Sequence, residues 1–379
     1  MKALHLCFDH NFIENSKTIF DYYYPNQNIF LVDSSNPTLK IIRHQEQFIV
    51  MNLKDKKSFE IVEKLCIENS IDRLVLHGMG VASLSLIRYL CNRKKYLIYW
   101  LFWGYELYQT LAYEKSYQLI DDHHSIFNKS YYLMPNPISK LLRKLKNRYL
   151  PSAVEKTLPY IDYFCFWNRA DYELLTKYYN VSMKYKFFAY GASKEGELPA
   201  NLFPIQERKV KTIMINHQAS LFGNHVSMFN RIAKLDTENN LIKLVPLSYG
   251  SNPIRNRTLY YGNKIFGKSF HPVMEYLKTD EYFKMLKNVD VAVFGQRRQE
   301  ASGNIIQLLR NGVKVFLRND NSLLEYYRKQ GYIIFSVEND LTRETLFTPL
   351  SLDEQVHNRQ TYLDNRFYYS DFMPEFFTT

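Results

Sequence analysis

Cysteine is scarce in this chain, and the few cysteines are widely spaced. Only four occur among 379 residues, each in an apolar stretch: Cys7, Cys66, Cys91 and Cys165. This spacing fits neither a zinc site nor a disulfide framework, so buried free thiols are expected. The patterns of zinc proteases and of EF-hand loops are also missing, and the sequence therefore predicts no bound metal.

Long hydrophobic runs are absent as well. The strongest run covers residues 96–103, whereas a membrane-spanning helix needs about 20 apolar residues. The first ten residues hold too short an apolar stretch for a signal peptide, because Asp9 and His10 interrupt it. We therefore expect a soluble cytoplasmic protein, or one attached peripherally to the cytoplasmic face of a membrane.

Three motifs that mark common enzyme classes are missing too. The chain has no Walker-type phosphate loop, no G-x-G-x-x-G after its first strand, and no G-x-S-x-G turn. These absences argue against an ATPase, a nicotinamide-dependent dehydrogenase and a serine hydrolase. No cofactor is expected.

The composition is that of a globular protein with an anionic partner. Hydrophobic residues make up 46% of the chain and charged residues 23%, and the length allows two domains. The net charge is +11. A nucleic acid, an anionic bilayer and a phosphorylated substrate would each satisfy such a charge, which does not choose among them.

Strand and helix patterns alternate along most of the chain, which predicts an α/β fold with parallel sheets. A Gly- and Pro-containing stretch without periodicity, residues 191–210, separates two such series. We therefore predict two Rossmann-like αβα domains facing a cleft, at residues 1–195 and 205–350. Residues 351–379 are predicted to form a helical tail able to cross back to the first domain.

The stretch at residues 294–316 carries the strongest local signal. It predicts a strand, a polar loop, a helix ended by a glycine, and a second strand. Arg298 and Gln299 lie in the loop, and Gly303 and Asn304 lie at the start of the helix. A helix N-terminus attracts phosphate, and glycine lets it approach closely. Arg298 could add a forked cationic partner. The alternative is an ordinary turn with solvated polar residues.

Other polar groups also follow predicted strands, where open α/β sheets bind ligands. In the second domain these are Asn216, Ser220, Asn224, His225 and Tyr249, which are predicted to bind the donor side of a substrate. In the first domain they are Asp9, His77, Gly78, Trp103, Gly104 and Glu106.

Glu106 and the pair Asp121 and Asp122 each allow a functional and a structural interpretation. Glu106, beside Trp100 and Trp103, is a candidate general base with a raised pKa; alternatively the tryptophans are core residues and Glu106 begins a solvated helix. Asp121 and Asp122, followed by two histidines, are predicted to lie in a solvated loop rather than to bind a metal.

Residues 138–149 form a basic amphipathic pattern. Apolar residues recur at helical spacing, and the other side carries four cations: Lys140, Arg143, Lys144 and Arg148. Such a helix can lie in the interface of an anionic membrane. A surface helix packed on the protein's own core would show the same pattern.

Taken together, the strand-end motifs resemble the TDP-N-acetylfucosamine:lipid II N-acetylfucosaminyltransferase family, glycosyltransferase family 56. The matching pieces, in family order, are Leu4-His-Leu-Cys-Phe-Asp9, His77-Gly78, Trp100-x-x-Trp103-Gly104-x-Glu106, Asn216-x-x-Ala219-x(4)-Asn224-His225, Val245-Pro-Leu-Ser-Tyr-Gly250 and Arg298-Gln299-x(3)-Gly303-Asn304. They span most of the chain, from about residue 3 to 317.

The resemblance implies a GT-B architecture with an acceptor-binding first domain and a donor-binding second domain. It implies metal-independent transfer of 4-acetamido-4,6-dideoxygalactose from a TDP-sugar to a polyprenyl-diphosphate-linked saccharide at the inner membrane. The chain departs from the family at Ile215 and His217, where glycine and serine are expected, at Glu106, where aspartate is frequent, and at Glu300, where glutamine is common.

From these observations we predict a GT-B glycosyltransferase in which Arg298, Gly303 and Asn304 neutralise the leaving diphosphate. Glu106 is the predicted acceptor-side base. The predicted partners are a nucleotide-sugar donor, a lipid-linked saccharide acceptor and the anionic inner-membrane surface, with no nucleic acid. Two alternatives remain: another GT-B enzyme, such as a sugar-nucleotide epimerase, and a non-enzymatic anion or nucleic-acid binder.

Overall fold

The computed structural model describes residues 1–121, 153–199 and 202–378. Within these residues the chain forms two compact units. Unit 1 comprises residues 1–117, 153–197 and 367–378, and unit 2 comprises residues 118–121 and 198–366 apart from the gap. The predicted basic helix at residues 138–149 lies outside the described residues.

Unit 1 is built on a seven-stranded sheet in the order β3-β2-β1-β4-β5-β6-β7. All neighbouring strands are parallel. The central strands are buried on both faces, as the first strand ALHLC is throughout, which explains their almost unbroken apolar sequence. The strands are β1 Ala3–Cys7, β2 Asn28–Asp33, β3 Ile49–Met51, β4 Arg73–His77, β5 Leu97–Leu101, β6 Tyr163–Cys165 and β7 Lys184–Lys186.

Helices connect these strands. They are α1 Asn11–Tyr23, α2 Lys57–Glu68, α3 Val81–Cys91, α4 Tyr105–Glu114 and α5 Arg169–Tyr178. Side-chain caps define two of the starts: His10 accepts a hydrogen bond from the N–H of Phe12, and Asn168 accepts one from Ala170. The polar residues after β1, including Asp9 and His10, lead directly into α1.

The C-terminal segment, residues 367–378, completes the core of unit 1. Phe376 and Phe377 are buried against Phe20 and Tyr99. The hydroxyl of Tyr24 donates to the carbonyl of Met373 at 2.5 Å. The segment therefore belongs to the same hydrophobic core as the first strands of the chain.

Unit 2 repeats the same topology with six parallel strands, in the order β10-β9-β8-β11-β12-β13. Its strands are β8 Thr212–Ile215, β9 Ile242–Pro246, β10 Phe270–Val273, β11 Val291–Val293, β12 Lys314–Leu317 and β13 Phe335–Ser336. Its helices are α6 His225–Leu235, α7 Asn252–Phe266, α8 Thr279–Lys287, α9 Ser302–Leu309, α10 Ser322–Lys329, α11 Arg343–Phe347 and α12 Leu352–Asp364.

In both units the strand order reverses beside the first strand, between β1 and β4 and between β8 and β11. With right-handed crossovers, such a reversal places helices on both faces of the sheet. It also opens a crevice at the carboxyl ends of the two strands where the order reverses, which is the usual ligand position in such folds.

The segment between β9 and β11 contains helix α7 and strand β10, and each includes a residue that weakens its signal in the sequence. Strand β10 contains Pro272, which is tolerated because β10 is an edge strand. Helix α7 contains Gly262, and a Cβ there would lie 2.3 Å from the Phe270 ring. The glycine weakens the helix signal in the sequence but allows α7 to pack closely on β10.

Candidate functional site

The reversal point of unit 2 is organised by Asn216, the first residue after β8. Its φ of +60° is left-handed, a conformation that asparagine tolerates. Its side-chain oxygen accepts a hydrogen bond from the N–H of Gly295 at 2.8 Å, and its amide donates to the carbonyl of Gly223 at 2.9 Å. A Cβ at Gly295 would lie 2.2 Å from that same carbonyl oxygen. Asn216 is fully buried. It therefore connects the loop after β8, residues 216–224 (the β8 loop), to the loop after β11, residues 294–301 (the β11 loop).

Asn224 makes a second connection between the same loops. It too is buried and left-handed, with φ of +49°. Its amide donates to the carbonyl of Gly295 at 2.9 Å, and its side-chain oxygen accepts from the N–H of Asp121 at 3.0 Å. Both asparagines thus shape the site through the backbone.

Arg298 is a cationic side chain of the same edge. Its side chain is 14% exposed, its Nε donates to Glu300 at 3.0 Å, and its guanidinium lies 4.3 Å from the ring centroid of Phe222. Among the residues that the structure describes, Glu300 is the one acceptor that Arg298 reaches. The terminal nitrogens of the guanidinium therefore remain available to an anion.

Glu300 is nearly buried and lies among polar groups of the β8 loop. Gln218 donates to it, and the Nε2 of His217 is 3.9 Å from its carboxylate. Burial lowers the pKa of His217, an effect that Glu300 opposes and Arg298 reinforces. Glu300 thus offsets part of the positive charge of Arg298. A glutamine, which is common at this position in the family that the sequence resembles, would leave that charge whole for a bound anion.

Helix α9 begins beside this loop with its N-terminus open. Ala301 occupies the position before the helix with φ of +66°, and no side chain caps the helix among the described contacts. Gly303 is exposed, and a Cβ there would meet no atom within 4 Å. The side-chain oxygen of Asn304 accepts a hydrogen bond from Tyr282 at 2.5 Å. The amides of the first turn of α9, and Arg298 in the loop that leads into it, are each suited to bind a phosphate.

The other predicted donor-side residues are spread around the same loops. Ser220 caps a short 3-10 turn by accepting from the N–H of Phe222 at 3.3 Å. Tyr249 is 69% exposed, and its carbonyl pairs with the N–H of Ala219. Gln299 is partly buried. His225 is buried, which lowers its pKa to about 3 and keeps it neutral.

His225 lines a small hollow of about 20 Å³ between the β8 loop and α7. Ser220, Asn224, Arg257 and Thr258 also line it. The hollow lies on the α6–α7 side of the β8 loop, whereas Arg298 lies in the β11 loop, so the predicted donor-side residues divide between two neighbouring places.

Asp121 corrects one prediction. Asp121 and Asp122 were expected to lie in a solvated loop. Asp122 and the two histidines after it lie outside the described residues, but Asp121 is buried and accepts hydrogen bonds from Arg297 at 2.8 Å and from Arg318 at 3.0 Å. Burial alone would raise its pKa, but Ser227, Arg318 and Arg297 hold the pKa below its usual value. Pattern reasoning missed this cluster because its members lie far apart in sequence.

The reversal point of unit 1 has a different character. The carboxylate of Asp9 accepts hydrogen bonds from the backbone N–H groups of Lys40, Ile41 and Ile42, at 2.6, 3.1 and 2.9 Å. It therefore holds the loop that precedes β3. His77, at the end of β4, is fully buried. Asp9 and His77 thus organise the carboxyl edge of the unit 1 sheet from within.

Two glycines of this edge occupy left-handed positions. Gly78 has φ of +77°, and a Cβ there would lie 3.3 Å from Trp103. Gly104, with φ of +101°, precedes α4. Trp103 is partly exposed, with His10 packed edge-on at 4.5 Å between ring centroids. Glycine at position 78 thus gives the indole its room.

Glu106 is fully buried, so the alternative that it is solvated is wrong. Its Oε1 accepts hydrogen bonds from the indole N–H of Trp100 at 3.0 Å and from the backbone N–H of Trp103 at 3.1 Å. Trp100 is a core residue, as its alternative interpretation expected. In this arrangement Glu106 stabilises the turn between β5 and α4, and its role as a base stays a prediction.

The described residues show no metal cluster and no membrane-spanning helix. No group of three or more histidine, cysteine or carboxylate side chains is placed to hold a metal ion. Among the same residues, every helix is too short or too polar to span a bilayer.

The fold is similar to those of solved sugar-handling proteins. Sucrose-phosphate synthase from Thermosynechococcus elongatus aligns with a TM-score of 0.64 and 9% identity, over 99% of this chain and 97% of that one. A glycosyltransferase from Rickettsia africae aligns with a TM-score of 0.62 and 13% identity, over 99% and 96%. HepE from Anabaena, solved in complex with UDP-glucose, aligns with a TM-score of 0.59 and 9% identity, over 99% and 97%.

No protein-family model matches the chain, and no curated protein matches its sequence significantly. Structural likeness at such low identity establishes the fold and leaves the reaction to the site. With two parallel-sheet α/β units of the same strand order, the chain has the predicted GT-B fold of two Rossmann-like domains.

Proposed function

We propose that this chain is a glycosyltransferase that uses a nucleotide-sugar donor. The observation that carries the proposal is the edge of unit 2, where Arg298 lies in the loop that leads into α9, the N-terminus of α9 is uncapped, and a Cβ at Gly303 would meet open space. These features favour a diphosphate. The fold, shared with a protein solved in complex with UDP-glucose, supports the same assignment.

The proposed chemistry follows from where charge develops. An acceptor hydroxyl attacks the anomeric carbon of the sugar, the bond from that carbon to the diphosphate oxygen breaks, and the hydroxyl proton passes to a base. Negative charge grows on the leaving diphosphate. The guanidinium of Arg298 and the amides around Gly303 would stabilise it without a metal ion. Activity that persists in EDTA would agree with this, and restoration by magnesium after chelation would contradict it.

The substrates are proposed from the family resemblance. They are a TDP-linked 4-acetamido-4,6-dideoxygalactose as donor and a polyprenyl-diphosphate-linked saccharide as acceptor, in the synthesis of a surface polysaccharide. The departures at Ile215, His217 and Glu300 lie beside the donor edge, so a related deoxyamino sugar or another nucleotide is the first alternative to test.

Donor binding can be tested with a thermal-shift panel of UDP-, TDP- and GDP-sugars. A ligand present at 100 times its Kd adds about 2.7 kcal/mol to the free energy of unfolding. We expect one nucleotide class to raise the Tm of the wild type and to do so much less in Arg298→Ala. The absence of any shift across the panel would overturn the proposal.

The products distinguish the alternatives. A transferase releases nucleoside diphosphate only when acceptor is present, whereas an epimerase returns an isomeric nucleotide sugar without one. A nucleic-acid binder would instead bind DNA or RNA with a strong dependence on salt. Mass spectrometry of the nucleotide products, beside a binding assay with duplex DNA, therefore separates the three functions.

Glu106 is proposed as the acceptor-side base, and one variant separates this role from its structural one. Glu106→Gln keeps a side-chain oxygen for the N–H groups of Trp100 and Trp103 but removes the carboxylate. Unchanged Tm with at least a hundredfold loss of kcat would support the base, since general-base catalysis contributes about 10²–10⁴-fold. Unchanged kcat would leave Glu106 a structural residue.

We also propose a peripheral position on the cytoplasmic face of the inner membrane, based on the sequence of residues 138–149. Each basic residue near an anionic surface contributes on the order of 1 kcal/mol, and salt weakens this contribution. Replacing Lys140, Arg143, Lys144 and Arg148 by glutamine should release the protein from anionic vesicles. A wild type that fails to sediment with such vesicles at low salt would exclude this position.

A further inference from the structure

Four polar side chains of unit 1 form a continuous hydrogen-bonded chain beneath Trp103. The indole Nε1 of Trp103 donates to the hydroxyl of Tyr190 at 2.8 Å, and that hydroxyl lies 3.0 Å from Nδ1 of His77. The Nε2 of His77 is 3.0 Å from Nδ1 of His5, and the Nε2 of His5 is 3.2 Å from the side-chain oxygen of Asn28. These hydrogen bonds therefore run from the partly exposed edge of the unit into its core.

The orientation of Asn28 fixes the direction of this chain. Its amide nitrogen is surrounded by three acceptors: the carbonyls of Phe20 and Tyr24 at 3.1 and 2.8 Å, and the carboxylate of Asp21 at 3.1 Å. The nitrogen must face these acceptors, so the oxygen faces His5. The Nε2 of His5 consequently carries the proton.

The remaining protons follow by elimination. Burial lowers the pKa of both His5 and His77, the latter to about 3, so each ring is neutral at pH 7 and carries one proton. The Nδ1 of His5 must then accept from Nε2 of His77, and Nδ1 of His77 must accept from Tyr190. Tyr190 donates to His77 and accepts from Trp103. The donor and the acceptor of every hydrogen bond in the series are thereby assigned.

We propose that Tyr190 and His77 are positioning residues that fix the indole of Trp103 as one wall of the acceptor-saccharide subsite. The proposal rests on the glycosyltransferase function proposed above. Trp103 lies next to His10 and Phe12, and Phe12 is 46% exposed. These rings follow β1 and β5 at the carboxyl edge of the sheet. Aromatic faces of this kind suit the apolar faces of sugar rings.

Further contacts hold Tyr190 itself. Its ring stacks on Phe12 at 5.6 Å with an interplanar angle of 22°, and its carbonyl accepts from the hydroxyl of Tyr369 at 2.6 Å. Tyr369 belongs to the C-terminal segment of unit 1 and accepts in turn from Asn15 of α1. Tyr190 is thus placed from three directions, which is what a residue that aligns another side chain requires.

Tyr190→Phe tests the proposal because it removes one hydroxyl and keeps the ring. We expect the acceptor KM to rise about tenfold while kcat changes less than about threefold, because acceptor positioning and not charge stabilisation is lost. The probe is a geranyl-diphosphate-linked N-acetylhexosamine disaccharide. The Tm increase produced by the nucleotide sugar should stay unchanged. Tyr24→Phe is the matched control, since it removes a buried hydroxyl of the same core that does not contact Trp103.

Fluorescence gives a readout that does not depend on activity. The chain has three tryptophans, so the Trp103 signal can be isolated in Trp167→Phe by subtracting the spectrum of the Trp103→Phe, Trp167→Phe protein. Tyr190→Phe should shift the Trp103 emission to longer wavelength and raise its quenching by acrylamide. Tyr24→Phe should do neither. Unchanged emission and quenching in Tyr190→Phe would overturn the positioning role, whatever the protein's function is.

A double variant separates positioning from general destabilisation. If Tyr190 acts through the indole, Tyr190→Phe should have no further effect on acceptor KM in a Trp103→Phe background. An equal effect in both backgrounds would show that Tyr190 does not act through Trp103. A wild type without transferase activity would refute the proposed function and the saccharide role together, while the fluorescence result would still decide the positioning of Trp103.

Discussion

The two units share a strand order but carry different chemistry at the same topological position. At the reversal point of unit 1 the hydrogen-bonded network is made of neutral side chains: a histidine pair, a tyrosine and a partly exposed tryptophan. The carboxylate at this edge, Asp9, bonds to backbone N–H groups. At the reversal point of unit 2 they are charged: Arg298 with Glu300, and Asp121 between Arg297 and Arg318. The parallel sheet sets the place of a site, and the residues after each strand set its ligand.

The contrast also extends to how each edge is held in place. Unit 1 relies on hydrogen bonds that are not ion pairs: those between neutral side chains, and those from N–H groups to the carboxylates of Asp9 and Glu106. Unit 2 relies on ion pairs and on asparagine bonds to the backbone, which depend on charge and on the close approach of Gly295. Each edge should therefore respond to a different kind of substitution. The Tyr190→Phe experiments above test the edge of unit 1, and four predictions test the charged edge of unit 2.

The largest expected effect is on stability, from loss of the carboxylate at position 121. Asp121→Ala leaves Arg297 and Arg318 without their shared buried partner, and removing one member of a buried ion pair costs about 3–5 kcal/mol. Because each arginine keeps a second acidic partner, Asp320 or Glu338, we expect the lower end of this range. Urea unfolding measures it. An unchanged urea midpoint would show that the cluster contributes nothing.

The pH dependence of this effect has a definite sign. The folded state holds the pKa of Asp121 below its usual value, so its contribution is complete above the unfolded pKa, about 3.9. It is lost as pH falls through the lower folded pKa. The difference in unfolding free energy between the wild type and Asp121→Asn should be constant near pH 7 and shrink below about pH 4. A difference that shrinks already at pH 6 would assign the effect to another group.

The second prediction concerns turnover. Arg298→Ala should lower kcat about 10²–10³-fold, as expected for one lost group that stabilises developing negative charge. Its Tm should fall only modestly, because Glu300 keeps the hydrogen bond from Gln218 when Arg298 is removed. Arg328→Ala is the matched control, since it removes a more exposed arginine of unit 2 that pairs with Asp340. Equal kinetics in the two variants would refute the role of Arg298.

The sequence predicted the α/β class and most central strands, because buried parallel strands are short apolar runs that differ sharply from their surroundings. Elements with a mixed composition give no such signal. Helix α7 contains Gly262 and polar residues, and β10 contains Pro272, so neither shows the periodicity on which such predictions depend. Both form because they pack on each other, which is a tertiary effect.

The candidate site shows the same division. Strand-end position was enough to single out Arg298 and Gly303, since the carboxyl edge is fixed by topology. The sequence could not reveal that Asp121 reaches Arg318, nor that His77 is bonded to Tyr190, because these pairs are separated by 197 and 113 residues. Asn216 and Asn224 were predicted to bind donor. Their observed bonds instead join backbone segments, and their direct contact with a donor stays a prediction.

The third prediction uses the charge of Glu300. Glu300→Gln keeps an acceptor for Nε of Arg298 but removes a negative charge beside the proposed diphosphate. Donor affinity should rise about three- to tenfold, the effect of roughly 1 kcal/mol. Isothermal titration with the nucleotide sugar measures it, and the gain should diminish at high salt. Weaker binding would instead show that the carboxylate is needed to hold Arg298 in place.

The smallest expected effect comes from Gly303→Ala, which should move stability and donor binding in opposite directions. A methyl group there meets no protein atom within 4 Å, and alanine is favoured over glycine in helices, so the free energy of unfolding should rise by about 0.5–1 kcal/mol. The same methyl would stand where a phosphate approaches the amides of α9, and the donor KM should rise severalfold. Tm and donor KM are therefore measured on one preparation. The acceptor KM serves as the control and should stay constant. A more stable enzyme with an unchanged donor KM would place the diphosphate away from the N-terminus of α9.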